Sequence, residues 1–400
     1  MNFNVGGTEL NGRLTARRSE GVNQRRVRAH NEKLVLSLLR RSEGLSKAEV
    51  ARITGLSAQT ISVISRSLEN EGLIKRQAPI RGRLGQPSTP FRLDAVGAYS
   101  IGLLIGRRST RLVLMDFCSE IVAQEQTTYA YPTPDGIIEF VRSRIEQLIA
   151  HIEPEHRDRV IGLGIGSPGH LWNWLDRLDA PAAEMASWQG FDLQKAVQSA
   201  TRLPTFIEND VSCACLAENI KGVGKSASDF AYFFVGTFVG GGLVLDGKLV
   251  TGVSGNAAAF GSLPMQRVEG RDGEQLIDHA SLLCLEKTLK QAGINDSVLW
   301  TNANDWSTLE PHLSSWLDQT ADALAQGVLS VCSVIDVPTI VIDGAFPSGV
   351  RNDLLAKTRA ALKASNLQGL LEPEVVPGTI GGDAGVLGAS VLPLQSIFTA

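Results

Sequence analysis

The chain has 400 residues, 43% of them hydrophobic, with 40 glycines and a formal net charge of −4; this length fits two or three domains, and no apolar run is long enough to cross a membrane. Its five cysteines form no CxxC pair and the amino terminus lacks a signal-peptide core, which argues against a disulfide framework and makes a cytoplasmic location the expectation. Charge is unevenly spread: residues 1–93 carry 17 Lys+Arg against 7 Asp+Glu, a balance of +10, which leaves 21 basic and 35 acidic residues, −14, for the rest. Only the head is therefore expected to meet a polyanion.

Residues 1–24 show no apolar periodicity and read as a disordered basic arm. Arg17, Arg18, Arg25, Arg26 and Arg28 are available there for phosphate contacts. Residues 31–41 are expected to be helical, with Leu34, Val35, Leu38 and Leu39 on one face. Residues 46–76 then read as two short helices, a glycine turn and a strand. Ser46 and Glu49 have capping-box spacing, and Gly55 marks the turn. In the second helix Ser57 is a cap, while Ile61, Ile64 and Leu68 form one apolar stripe. The other side carries Gln59, Thr60, Ser62 and Arg66. An apolar stripe that seats a helix and a polar face that reaches base edges are what a helix-turn-helix reader of double-stranded operator DNA needs. Residues 73–77 and 91–93 predict two strands around a Gly/Pro/Arg loop, a wing that places Arg81 and Arg83 against a minor groove or phosphates. The expected winged helix-turn-helix spans residues 25–94.

From residue 95 the pattern changes. Residues 99–105, 110–116 and 121–129 predict an antiparallel meander. A helix over 135–151, a buried strand over 160–166 and the turn Ser167-Pro168-Gly169 follow. A strand over 205–207 ends in Glu208-Asn209-Asp210, where another helix starts. This order suits a ribonuclease-H-like α/β lobe, whose functional side chains lie at strand carboxyl ends. The outline repeats. Residues 230–236, 242–247 and 248–252 predict a second meander, helices are expected over 273–293 and 307–333, and a strand over 339–343. GGDAGVLGAS (381–390) predicts a glycine turn into a helix of small residues. The expected lobes are residues 95–220 with 381–395, and 221–380.

With RGRLGQP in the head, GIGSPGHL (164–171), LPTFIENDVSCACLAE (203–218), VGTFVGGGLVLDGKLVTG (235–252), GNAAAFGSLPM (255–265) and GGDAGVLGAS follow in order. The chain thereby resembles ROK-family transcriptional regulators, related to the xylose and N-acetylglucosamine repressors. The resemblance runs from about residue 28 to 395. It implies an α/β chain in which a winged helix-turn-helix precedes a two-lobed actin/hexokinase-like body. It further implies a repressor of sugar uptake or catabolism, cytoplasmic and homodimeric or homotetrameric, with a carbohydrate-like effector in the cleft. Gly169, Asn209, Asp210, Asn256, Ala259 and Ser262 occupy the effector-site positions.

Several positions depart from the pattern that the resemblance brings. Where ROK kinases carry an Asp-x-Gly-Gly-Thr phosphate turn, this chain has Leu104-Ile105-Gly106-Arg107-Arg108. A second phosphate loop keeps Gly236-Thr237 and Gly240-Gly241-Gly242 but has Phe238 for a glycine. The ATP site is thus expected to be lost, with the remaining glycines serving hairpin geometry. Asp210 aligns with the catalytic base, and Asn209-Asp210 also suits helix capping. Ala259, Ser262 and Ile277 stand where sugar-contacting or metal-binding Glu, His and Glu are usual. His279 and Cys284 do not make up a tetrahedral zinc set, so neither metal nor cofactor is expected. Cys213 and Cys215 read as core residues. Trp172, Trp174 and Trp188 lie where the cleft gains specificity, and an aromatic ring there either stacks on a ligand or fills the core. A ROK sugar kinase with a DNA-binding head, and a regulator whose cleft binds nothing, are the alternative readings.

Overall fold

The computed structural model describes residues 12–79, 89–169, 181–265, 274–301 and 304–399. Arg81, Arg83, Trp172 and Trp174 lie outside them. The chain divides into two compact units, one running to Gly97 and taking in the tail from Gln395, the other Ala98–Leu394.

The head is built from α1 (Gly12–Arg40), α2 (Lys47–Thr54), α3 (Ala58–Asn70) and an antiparallel pair, β1 (Ile74–Arg76) and β2 (Phe91–Leu93). Residues 12–24 are helical, which corrects the expectation of a disordered arm. Once the apolar carboxyl half of α1 is docked, extending the helix needs no new nucleus. That docked half buries Val35, Leu36 and Leu39. Ser46 and Glu49 form the expected capping box, and Gly55 ends α2 in the left-handed region at φ 71°. Ile61, Ile64 and Leu68 are buried beneath α3, with Phe91 and Leu93 from the wing completing the head core.

The body contains two five-stranded sheets of one topology. The first has the order β5-β4-β3-β6-β7, from β3 (Tyr99–Ile105), β4 (Ser109–Asp116), β5 (Ile121–Thr128), β6 (Val160–Ser167) and β7 (Thr205–Asn209). The second has the order β10-β9-β8-β11-β12, from β8 (Phe230–Val235), β9 (Val239–Leu245), β10 (Lys248–Leu249), β11 (Thr339–Gly344) and β12 (Glu374–Pro377). In each, three strands form an antiparallel meander and two more join in parallel. Parallel pairing needs crossover helices, here α4 (Pro134–Ile149), α5 (Ala182–Ala186) and α6 (Leu193–Thr201) for the first sheet. The second uses α8 (Leu282–Gln291), α9 (Val298–Thr301), α10 (His312–Cys332) and α11 (Ser348–Ala364). Between the sheets in sequence runs α7 (Asp210–Lys221), and the described chain ends with α12 (Ala384–Phe398).

Glycines set how closely these layers approach. A Cβ on Gly102 of β3 would lie 2.2 Å from Ser390 Oγ, and one on Gly164 of β6 would lie 1.9 Å from Ala389 O. Helix α12 can therefore lie directly on the first sheet. The second sheet buries Phe233, Val235 and Ile340 against Trp316 and Leu324 of α10 and Leu354 of α11. No helix among the described residues is long and apolar enough to cross a membrane.

Candidate DNA-reading helix and effector cleft

Helix α3 starts at Ser57, whose Oγ accepts the Thr60 amide at 3.1 Å. The two hydroxyls also lie 2.8 Å apart. Ser57 and Thr60 are thus partly committed to the cap, whereas Gln59 and Arg66 are exposed. Ser62 is half-buried on the flank. The sequence expectation left out Val63, which is 54% exposed. It follows Gln59 by four residues and precedes Arg66 by three, so the three share the face opposite Ile61, Ile64 and Leu68.

Other basic side chains of the head are already engaged. Arg28, expected among the phosphate contacts, donates to Glu32 and to Ser67 Oγ, both at 2.9 Å. Arg76 makes a bidentate pair with Glu69 at 2.8 and 2.9 Å, and Lys75 bonds Asp94 at 2.7 Å. Lys47 and Arg76 each lie 5.7 Å from the centre of the Phe91 ring.

In the body, β6 and β7 pair so that Ser167 is opposite Asn209. The turn leading to Gly169 and the Asn209-Asp210 pair consequently share the carboxyl edge of the first sheet. Asn209 Oδ1 accepts the amides of Val211 and Ser212 at 2.9 and 3.2 Å, so it caps α7. Asp210 Oδ1 also accepts the Val211 amide, at 3.0 Å. Burial pushes the Asp210 carboxyl above its ordinary range, while the Arg107 guanidinium pulls in the opposite direction. Asn256, Ala259 and Ser262 are exposed on the segment after β10. Between them Ala258 adopts φ 55°, a conformation that L residues with a side chain seldom take. Gly169 is exposed.

The substituted phosphate turn is not empty of interactions. Arg107 lies over the Phe238 ring, 3.3 Å from its centroid. These residues replace glycines of the two loops, so the two departures from the family pattern meet each other across the sheets. Beside them Arg108 pairs with Glu286, which is 1% exposed, and stands 5.1 Å from the Trp300 ring centre. Lys290 shares the same carboxylate at 2.7 Å.

The glycines of β9 serve close packing rather than the hairpin geometry expected of them. A Cβ at Gly240 would meet Val211 Cγ2 at 2.7 Å, and one at Gly242 would meet Cys215 Cβ at 2.3 Å. At Gly241 the Phe260 ring would be 2.3 Å away. Helix α7 thus rests on β9. Cys213 and Cys215 are both fully buried, as expected, and burial raises both thiols well above their ordinary range. Ile277 is a core residue at 5% exposure, and so is Trp188, whose Nε1 donates to Pro132 O at 2.9 Å. His279 Nε2 approaches Glu274 at 2.9 Å and Cys284 Sγ lies 3.2 Å from Asp278 O. Among the described residues no cluster of three His, Cys, Asp or Glu could hold a metal ion.

A further group went unread in the sequence. Glu218, fully buried near the end of α7, accepts the amides of Val223, Thr379 and Ile380 at 3.1, 2.5 and 2.9 Å. It ties together the two segments by which the chain leaves and re-enters the first sheet's lobe. Its sequence signal was a carboxylate directly after the run of small and apolar residues Cys213–Ala217.

The ROK family model matches residues 100–396, and one for a winged helix-turn-helix DNA-binding domain matches residues 28–75. The chain is 22% identical to the xylose repressor of Bacillus subtilis (strain 168) over 384 residues, covering 92% of this chain and 96% of that one. It is 25% identical to a glucokinase of Halalkalibacterium halodurans, over 74% of this chain and 94% of the enzyme. Among solved structures, a ROK family transcriptional regulator homologous to the Escherichia coli MLC protein has the same fold. Its TM-score is 0.67 at 18% identity, with 93% of this chain and 97% of that one covered. The chain therefore belongs to the ROK family, with a winged helix-turn-helix DNA-binding head ahead of the ROK body.

Proposed function

We propose that this chain is a ligand-responsive transcriptional regulator, a cytoplasmic repressor of sugar uptake or catabolism genes. The single observation that carries the reading is α3, which is seated by a buried stripe and presents Gln59, Val63 and Arg66 outward from a basic head. Thr60, Ser62 and Ser57 flank that face, and Arg81 and Arg83 of the wing supply phosphate contacts. Two heads in a homodimer or homotetramer would read a roughly palindromic operator, one recognition helix per major groove. The input is a carbohydrate-like effector held by Gly169, Asn209, Asp210, Asn256, Ala259 and Ser262. Its binding changes operator affinity to the extent that it prefers one of two conformations.

The body acts as a receptor rather than a kinase. Support comes from Arg107 and Phe238, whose contact fills space that backbone amides and ATP phosphates would need. Asp210 retains the position of a catalytic base but serves as an acceptor for a ligand hydroxyl. The test has two arms. Selection from random duplexes should return a palindromic consensus, and Gln59→Ala or Arg66→Ala should relax it at one position per half-site. An ADP-release assay across a sugar panel should show no turnover. Turnover that disappears in Asp210→Asn would establish a kinase instead.

A further inference from the structure

Val63 is an exposed β-branched residue in the middle of a helix. That placement loses side-chain rotamer freedom and leaves apolar surface in water, so neither helix stability nor solubility accounts for it. A single exposed apolar residue is ordinary on most surfaces. Val63 differs because its outward neighbours are Gln59 and Arg66, side chains able to make hydrogen bonds to base edges. Its exposure of 54% places its two methyl groups on the face that enters the groove if α3 is the reading helix. In a major groove one feature is apolar, the C5-methyl group of thymine.

We propose that Val63 is a specificity-determining residue that reads a thymine methyl group in each half-site, between the bases contacted by Gln59 and Arg66. The inference rests on the DNA-reading role of α3. Burying one methyl group between two apolar partners favours thymine over a base without it by about three- to fivefold per half-site. Gln59 and Arg66 supply the polar contacts on either side, so the three residues together read a short run of base pairs that contains one A·T pair.

The test begins with the consensus operator recovered by selection with the full-length protein. Each thymine in one half-site is replaced in turn by deoxyuridine, which lacks only the C5-methyl group. Wild type should lose about three- to fivefold in affinity at one position, while Val63→Ala should bind the thymine and uracil duplexes equally. Indifference of wild type to every replacement would overturn the assignment, as would unchanged discrimination in Val63→Ala. A changed oligomeric state in Val63→Ala, with thymine discrimination intact, would instead place Val63 in a contact between copies of the chain. Absence of any consensus with the wild-type protein would remove the DNA-reading role itself, a result distinct from failure at Val63 alone.

Discussion

Asp210 is held under opposing influences. Burial favours its protonated form, Arg107 favours the charged one, and burial prevails. A carboxyl group whose folded pKa is raised gives its full contribution to stability below its unfolded pKa and loses it as pH rises through the folded value. At neutral pH Asp210 therefore contributes less to stability than it does in acid. Asparagine does not titrate, and its Oδ1 can still accept the Val211 amide. Asp210→Asn should consequently have a higher Tm than wild type at pH 7, and the difference should shrink as pH falls toward 4. Thermal unfolding of the two proteins across that range checks the sign, and a lower Tm for Asp210→Asn at pH 7 would contradict it. Retaining a carboxylate beside an already sufficient Asn209 cap is consistent with ligand binding at this position.

The turn between β3 and β4 shows how two substitutions become one structural element. Arg107 over Phe238 and Arg108 on Glu286 connect the edge of the first sheet with the β8–β9 turn and α8 of the second. Desolvated cation–π contacts contribute up to about 2 kcal/mol. In a double-mutant cycle, Arg107→Ala and Phe238→Ala should therefore be coupled by about 1–2 kcal/mol in the unfolding free energy of the protein. Additive effects would mean that the ring and guanidinium are neighbours without a mutual contribution. In the head, Lys75 and Arg76 of β1 are paired with Asp94 and Glu69, and the proposal assigns the phosphate contacts of the wing to Arg81 and Arg83. Alanine at both should weaken operator binding and reduce the salt slope by about two, roughly one unit for each lost phosphate contact. Titrations at several salt concentrations measure this, and an unchanged slope would remove the wing from the interface.

At the scale of the whole molecule, much was legible before the structure. The stripe Ile61-Ile64-Leu68, the Ser46–Glu49 box and the repeated meander were visible because their spacing follows the local geometry of helix and strand. Other features depend on partners far away in the chain. Residues 12–24 carry no stripe of their own, and the fifth strand of the second sheet, Glu374–Pro377, is only four residues long. The helix expected over 273–293 begins at Leu282, after a short 3-10 turn over Leu276–Asp278. Val63 was hidden because its chemistry matches a core residue and only its orientation distinguishes it. The pairing of Arg107 with Phe238 links residues far apart in sequence, and each alone looked like a lost function.

If the proposed effector prefers one of two conformations of the protein, ligand binding and DNA binding are linked. If the effector prefers the conformation that releases DNA, linkage requires operator DNA to weaken effector binding by the same factor. A panel of sugars, sugar alcohols, amino sugars and phosphosugars, scored by thermal shift, should contain a ligand that stabilises the native protein. At a hundredfold excess over its Kd the gain is about 2.7 kcal/mol. The same compound should change operator affinity, and Asp210→Asn should lose both effects together. Stabilisation without any change in operator affinity would separate the cleft from the head. A panel in which nothing stabilises the protein would favour a regulator whose cleft has no ligand. Because Asp210→Asn is expected to be intrinsically more stable at pH 7, the comparison must use the ligand-induced shift in each protein, not its absolute Tm.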